Sequence, residues 1–275
     1  MNIKNSLLLL DPQFDPNTAP DCNLLIKITN DSFSYAIINQ ESQHLKAIFD
    51  QQECPNISQT LHSNLKNDPY LKYPFKAVKV SVATDSSIAV PTELYQQKDL
   101  PSYLNFFSKN RPEQVYIQEN KDFNFTSVFG FQADFEESLN STFENPVKFE
   151  LTTPVLALAS GLSDGLFLDF TARSFTVIYV SGAKLAFKNS YEIETAEEFN
   201  YYLLLILTQL DILSKEIPVY ISGIINEDDN RHQILQKYFE KISFNYPQNK
   251  NVDCTILDDM PIYYYSSLLA IDLCV

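Results

Sequence analysis

The apolar residues fall into short runs broken by turn formers, with alternating and helical spacings intermixed. Leu24 to Asn30 and Phe33 to Asn39 are apolar, β-branched runs separated by Asn30, Asp31 and Ser32, a turn composition, and together they predict a hairpin. A third strand is expected at His44 to Phe49, and Pro55 then opens a helix with Ile57, Leu61 and Leu65 on one face. Strands at Phe75 to Ala83 and Ser87 to Val90 follow, with Pro91 placed at a helix start before Thr92, Glu93 and Leu94. Further on, the pattern predicts a helix around Tyr103 to Phe107, strands at Gln114 to Gln118 and Phe125 to Phe131, and a helix from Ala133 to Phe143.

After a short strand, Val147 to Glu150, and a helix, Thr152 to Ala159, a second hairpin runs from Leu166 to Val180. Laid over residues 24–38 at a constant offset of 142, it repeats Leu24 as Leu166, Thr29 as Thr171, Ser32 as Ser174 and Phe33 as Phe175. The order after each copy also matches: a third strand (His44 to Phe49; Lys184 to Asn189), a helix, then a strand (Ala77 to Val82; Pro218 to Ser222). The second helix is signed by a capping box, Thr195 to Glu198, and by Phe199, Leu203, Ile206, Leu210 and Leu213 at helical spacing. It is apolar on nearly all sides, which calls for burial in its own fold or under a partner. A βαβ unit is expected next: strand Ile217 to Ser222, helix Arg231 to Ile242 and strand Val252 to Leu257, with a closing helix at Tyr263 to Cys274.

Composition narrows the possible functions. At 275 residues with 45% hydrophobic content the chain can fill a core, and no apolar run approaches the roughly 20 residues of a membrane span. The N-terminal Leu7 to Leu10 run is too brief for a secretory signal, so the expected compartment is the cytoplasm. The net charge of −15 and the lack of a Lys/Arg run argue against nucleic acid as a partner. Cys22, Cys54, Cys254 and Cys274 have no metal-ligand spacing and read as buried thiols.

Two lobes, each opened by a β-hairpin, resemble the actin-like ATPase superfamily of sugar kinases, heat-shock chaperones and actin, and the second half is similar to pilus-assembly and secretion-platform actin-like proteins. The run Ile28 to Ile37, the segment Val90 to Leu94 with Tyr103 to Asn105 after it, and Leu168 to Thr171 resemble a bacterial family, domain of unknown function 3822. The resemblance implies an α/β, duplicated, ribonuclease H-like fold of two lobes. The first is placed at residues 1–160, with a small inserted subdomain around 84–120, and the second at residues 161–275. It also implies Mg-ATP held by an aspartate and glycines in each hairpin and by a glycine pair behind a strand. At the first hairpin the matching positions are Lys27, Ile28 and Thr29, so a lysine stands in place of the metal carboxylate. At the second, Asp169 is kept but Thr171 replaces the glycine, and at the third Gly223 is followed by Ile224.

The chain has five glycines, and a β-carbon pushes backbone away from a phosphate. The expectation is therefore a non-enzymatic interaction or scaffold protein with no catalytic residue, metal or cofactor and with an unknown protein partner, monomeric or homodimeric. The alternative is an ATPase or nucleotide-dependent switch with an unorthodox site lined by Lys27, Thr29, Asp169, Thr171 and Gly223. Other motifs read blandly. Gly161, Ser163 and Gly165 match a hydrolase string, but helix precedes and strand follows, the reverse of a nucleophile elbow. Asn226 to Asn230 reads as a solvated helix-capping loop, His44, His62 and His232 as surface residues, and the Tyr263 to Tyr265 cluster and Phe123, Phe125, Phe129 and Phe131 as core.

Overall fold

The computed structural model describes residues 5–107, 112–212, 215–246, 252–258 and 260–275. The chain opens with β1 (Ser6–Leu10), then forms the hairpin β2 (Cys22–Ile28) and β3 (Phe33–Asn39), followed by β4 (His44–Gln51), α1 (Ile57–Asn67) and β5 (Ala77–Val82). A small sheet comes next, with β6 (Ser87–Pro91), α2 (Leu100–Tyr103), β7 (Tyr116–Asn120) and β8 (Phe125–Phe129). It leads through α3 (Ala133–Thr142) to β9 (Val147–Glu150) and α4 (Thr152–Ala159). The second hairpin is β10 (Gly165–Phe170) and β11 (Ser174–Ser181), followed by β12 (Lys184–Glu192), α5 (Ala196–Gln209), β13 (Val219–Gly223), α6 (Asn230–Tyr238), β14 (Ile242–Phe244) and α7 (Ser266–Leu269).

The two large sheets share one strand order. The first runs β1-β4-β3-β2-β5-β9 and the second β12-β11-β10-β13-β14, so that β1 is an extra edge on an otherwise common plan. In both, three hairpin-connected strands are antiparallel and the last two join in parallel. The period-2 alternation of the central strands sets the layers. Leu24, Ile26 and Ile28 face the core under α1 and α3, while Leu25, on the other face of β2, packs with the C-terminal segment. In β10, Leu166, Leu168 and Phe170 face α5 and α6, and Phe167 faces α4. Lys27 shares the face of Leu25, and Asp169 shares the face of Phe167. Both polar side chains are thereby directed into the layer between the sheets, where α4 and α7 pack together.

Several boundaries differ from the sequence reading. Pro91 does not open a helix: it ends β6 opposite Phe125, on an edge strand where its missing N–H costs nothing, and the helix begins at Leu100 with Pro101 behind it. The helix expected around Tyr103 to Phe107 is met by the end of α2 and the 3-10 turn Leu104–Phe106 that continues it, and the strand expected at Gln114 starts at Tyr116. α6 stops at Tyr238 because buried Phe239 is extended (φ −119°, ψ 140°), and the parallel partner of β13 is β14 instead of Val252 to Leu257. Within that later segment only Asp253 forms a bridge, to His44, and Thr255–Leu257 is a 3-10 turn. The closing helix is three short pieces, Ile262–Tyr265, α7 and Ala270–Leu273. This C-terminal segment, assigned by sequence to the second lobe, buries its apolar side on the first sheet. The Ser6–Leu10 strand had no counterpart in the sequence reading.

α5 buries Phe199, Leu203, Ile206 and Leu207 but leaves Tyr201 exposed (62%), so its apolar character is not all absorbed by its own lobe. Leu213 lies outside the described residues. His232 is buried, contrary to the surface assignment: its Nδ1 donates to the Glu227 carbonyl at 3.1 Å and its ring stacks on Phe244. The phenylalanines of β8 and its flanks are buried, as is Tyr265, and Asp229 caps α6 by accepting from the Arg231 amide at 2.7 Å.

Gly223 is required by packing. Its φ is +83°, and a β-carbon there would lie 2.0 Å from the Phe170 carbonyl oxygen. Gly223→Ala is expected to cost at least about 3 kcal/mol, combining backbone strain with overlap in the core, and to appear in urea titration as a lowered midpoint.

Candidate functional site

The two hairpin turns are built alike. Thr29 N donates to Ser32 O at 3.0 Å and Thr171 N to Ser174 O at 2.9 Å, and each threonine hydroxyl accepts from the amide of its turn serine at 2.9 Å. The cross-strand registers also match, Lys27 opposite Ser34 and Asp169 opposite Thr176. Lys27 and Asp169 thus hold equivalent places in the two sheets and face each other across the interlobe layer.

They meet directly. Lys27 Nζ lies 2.6 Å from Asp169 Oδ2, with side chains only 8% and 2% exposed. Ser267 on α7 completes a triangle, accepting from Lys27 Nζ at 2.7 Å and donating to Asp169 Oδ2 at 2.9 Å. Ser222 on β13, beside Asp169 in the parallel ladder, donates to its other oxygen at 2.7 Å. One ammonium and two hydroxyls therefore compensate the carboxylate, as a buried charge requires.

A second bridge joins the turns. The Asp31 carboxylate accepts from the Thr29 hydroxyl (2.9 Å) in its own turn and, across the interface, from the Thr171 hydroxyl (2.8 Å), the Arg173 amide (2.9 Å) and the Ser174 hydroxyl (3.0 Å). The donors of the second turn are thereby spent on an anion belonging to the protein itself. Gln52 adds a further tie, accepting from the Ala172 amide at 3.2 Å.

Beside these groups lies Asp50 on β4, in register with Ser34, almost fully buried and accepting from the Gln52 side-chain Nε2 at 2.8 Å. Burial pushes its carboxyl up to about 6, with Gln52 and Lys27 opposing the rise and Asp31 adding to it. Lys27, Asp50, Thr171, Ile224, Tyr265 and Ser267 line a cavity of about 10 Å3, room for about one water molecule.

A further ion pair crosses between β12 and β9. Lys188 bonds Glu150, which also accepts from Ser87, Ser127 (2.9 Å) and Thr152 (2.9 Å). Burial works to raise the Glu150 carboxyl, but Lys188 and the hydroxyls outweigh it and hold it below the usual range.

Of the residues singled out from sequence, Lys27, Thr29, Asp169 and Thr171 come together at the facing hairpins. Gly223 lies beside them but contributes only close packing, and its neighbour Ile224 lines the cavity. Sequence reasoning placed Asp31 in the first turn without a role in the site and missed Asp50, Ser222 and Ser267. Ser222 was accessible in principle, because a strand parallel to the Asp169 strand must end beside it. Ser267 was not, since it depends on the return of the C-terminus. A Mg-nucleotide between the hairpins needs a carboxylate free for the metal's water shell and room for phosphates. The residues present do not fit that requirement: an ammonium already pairs with Asp169, a carboxylate fills the second turn, and the cavity between Lys27, Asp50 and Thr171 holds about one water.

This arrangement of two matched sheets, facing hairpins and an intervening helix layer is the actin-like ATPase fold. The chain belongs to the family described as protein of unknown function DUF3822, whose sequence profile matches residues 11–242. A solved Bacteroides thetaiotaomicron protein of actin-like ATPase fold and unknown function is similar with 18% identity and a TM-score of 0.72, covering 89% of this chain and 97% of that one. The type IV pilus biogenesis complex of PilM with PilN contains a chain similar at 14% identity and a TM-score of 0.57, covering 91% and 97%. No protein with a curated description matches the sequence.

Two outcomes are expected from this geometry. Lys27→Met strands a buried carboxylate and should lower stability by about 3–5 kcal/mol, on the order of 10 °C in Tm. Combined with Asp169→Leu it should fall by clearly less than the sum of the two single losses, because each removes the reason for the other; calorimetry of the four proteins checks this. Asp50 has its folded value raised above 3.8, so its contribution to stability is full below pH 3.8 and is lost as pH rises through about 6. Asp50→Asn is therefore expected to be more stable than the natural chain by about 3 kcal/mol at pH 7.5, with the difference vanishing near pH 4.

Proposed function

We propose that this chain is an actin-like protein whose interlobe cleft is closed by its own side chains, and that it acts in the cytoplasm by contact with another protein rather than by nucleotide hydrolysis. The observation that carries this reading is the Lys27–Asp169 ion pair at 2.6 Å. An ammonium supplies beside Asp169 the positive charge that a bound cation supplies in the superfamily, and Asp31 supplies the negative charge that the second turn would otherwise take from a phosphate. The cleft needs no ligand to be electrostatically complete.

The reading treats the chain as two lobes related by internal duplication. The first is built on residues 1–160, with the insert around 84–120 and the returning C-terminal segment; the second begins at residue 161. The common strand order and matched turns support duplication. Interaction rather than catalysis is supported by the similar chain solved together with its partner PilN. Among the described residues no helix is long and apolar enough to cross a membrane.

Thermal unfolding with Mg-ATP, ADP and GTP tests the proposal. No change in Tm is expected, whereas a ligand at 100 times its Kd would add about 2.7 kcal/mol, a shift of several degrees. A rise of that size, lost in Asp169→Ala relative to its own unliganded Tm, would overturn the closed-cleft reading.

A further inference from the structure

β5 and β9 are parallel neighbours whose C-terminal residues, Val82 and Glu150, lie at the hairpin end of the first sheet. The segments that enter them, from α1 and from α3, therefore come together at the opposite end, away from the cleft. Between these segments lies a groove of about 570 Å3. Its base is Leu71 and Phe143, both buried in the first core, and Tyr73, Phe75 and Val147 also line it. Tyr73 is braced by Phe14, Tyr70 and Phe75, with ring centroids at 6.2, 6.1 and 6.5 Å, so the aromatic wall is in place before anything binds. Val147 is 46% exposed.

The charge of the groove is opposite to that of the chain. Lys72 and Lys76 line it, both exposed, against a single acid, Glu144, whereas the whole chain carries −15. Among the described residues neither lysine takes part in an ion pair. Asp68, which feels the Lys72 charge, gives its oxygens to the Tyr70 amide and the Tyr35 hydroxyl, both at 2.9 Å. Two unmatched ammonium groups beside an apolar hollow are complementary to an apolar side chain flanked by carboxylates.

We propose that this groove binds a short acidic segment of a partner protein, seating one apolar side chain against Tyr73 and Val147 and setting carboxylates against Lys72 and Lys76. The proposal rests on the reading of the chain as an interaction protein and gives the partner a chemistry. Nucleic acid fits less well. A polyphosphate continues past the two lysines onto a surface of its own sign, while a peptide presents its charges only where the groove has partners for them.

Fluorescence anisotropy with short labelled peptides, each carrying a pair of glutamates on either side of a central leucine or phenylalanine, tests the proposal. Binding is expected with a Kd of about 10–100 µM, weakening at least about tenfold in the double variant Lys72→Glu with Lys76→Glu and in Val147→Glu. It is also expected to weaken as sodium chloride is raised from about 0.05 M to about 0.5 M. All three positions are exposed, so the variants should keep the circular dichroism spectrum of the natural chain, and Val147→Glu serves alone should the double variant fail to fold. Peptides with lysine in place of glutamate are expected not to bind. No binding of the acidic peptides at about 1 mM, equal binding of the lysine peptides, or an affinity unchanged in the variants would overturn the proposal. So would tighter binding of a single-stranded oligonucleotide or of phosphatidylserine vesicles that is lost in the same variants. The groove lies at the far end of the sheet from the cleft, so the nucleotide result is read independently. Flat unfolding with Mg-ATP and no peptide binding removes this inference alone, whereas a rise in Tm with Mg-ATP alongside peptide binding removes only the closed cleft.

Discussion

The Lys27–Asp169 ion pair is the contact on which the interior depends. It joins equivalent positions of two equivalent sheets, and a charge at either position has no water to return to. An isolated carboxylate at that depth would be intolerable, and so would an isolated ammonium. The layers on either side are therefore committed to a distance at which the two groups touch, and Ser222 and Ser267 supply the hydrogen bonds that the ion pair alone leaves unmade. Ser267 ties α7, and with it the C-terminal segment, to the same point. Two lobes and the chain terminus thus meet at one polar triangle; two apolar clusters fill the lobes, a third seats the C-terminal segment on the first sheet, and a fourth, around Phe125, Leu156 and Phe167, spans both.

The second bridge, through Asp31, has a different physical character. Its donors are a backbone amide and hydroxyls, not a cation, so it resembles the capture of an anion by a turn. That both bridges occur side by side explains why so little space is left between the hairpins. Burial is what raises the Asp50 carboxyl beside them: Asp31 adds like charge, and the side-chain amide of Gln52 and the Lys27 cation, already engaged by Asp169, oppose the rise without cancelling it.

Much of this was legible in sequence because periodicity reports burial. The hairpins, the third strands, the capping box at Thr195 and the apolar stripes of α1 and α5 each have a signal confined to a few neighbouring residues, and the constant offset between Thr29 and Thr171 carried over to matched hydrogen-bonded turns. What failed had no local signal. Proline marks a strand end or a helix start equally well, which displaced the helix expected at Pro91. The stop of α6 at Tyr238 is set by burial of Phe239 against the second core, and the placement of β14 follows from it. The site was half legible: Lys27 and Asp169 could be aligned to their motif positions, but nothing in a one-dimensional comparison shows that the two aligned positions face each other, so a substitution that reads as a loss from either hairpin alone is a compensating pair in space.

The internal pairing also changes what the net charge means. Lys27, Lys148 and Lys188 are drawn inside and each is matched to one acid, Asp169, Glu136 or Glu150. Removing equal numbers of both signs leaves the excess of acid unchanged but concentrates it on a surface with fewer cations to offset it. Any partner that meets this surface broadly must then be basic or must avoid it. The exposed apolar elements are consequently the places where contact is least opposed, and they differ in kind. The outer face of α5 offers Tyr201 next to Glu197 and Glu198, a mixed surface suited to a partner with its own positive charge, whereas the groove at Val147 keeps Lys72 and Lys76 outside and suits a partner with negative charge.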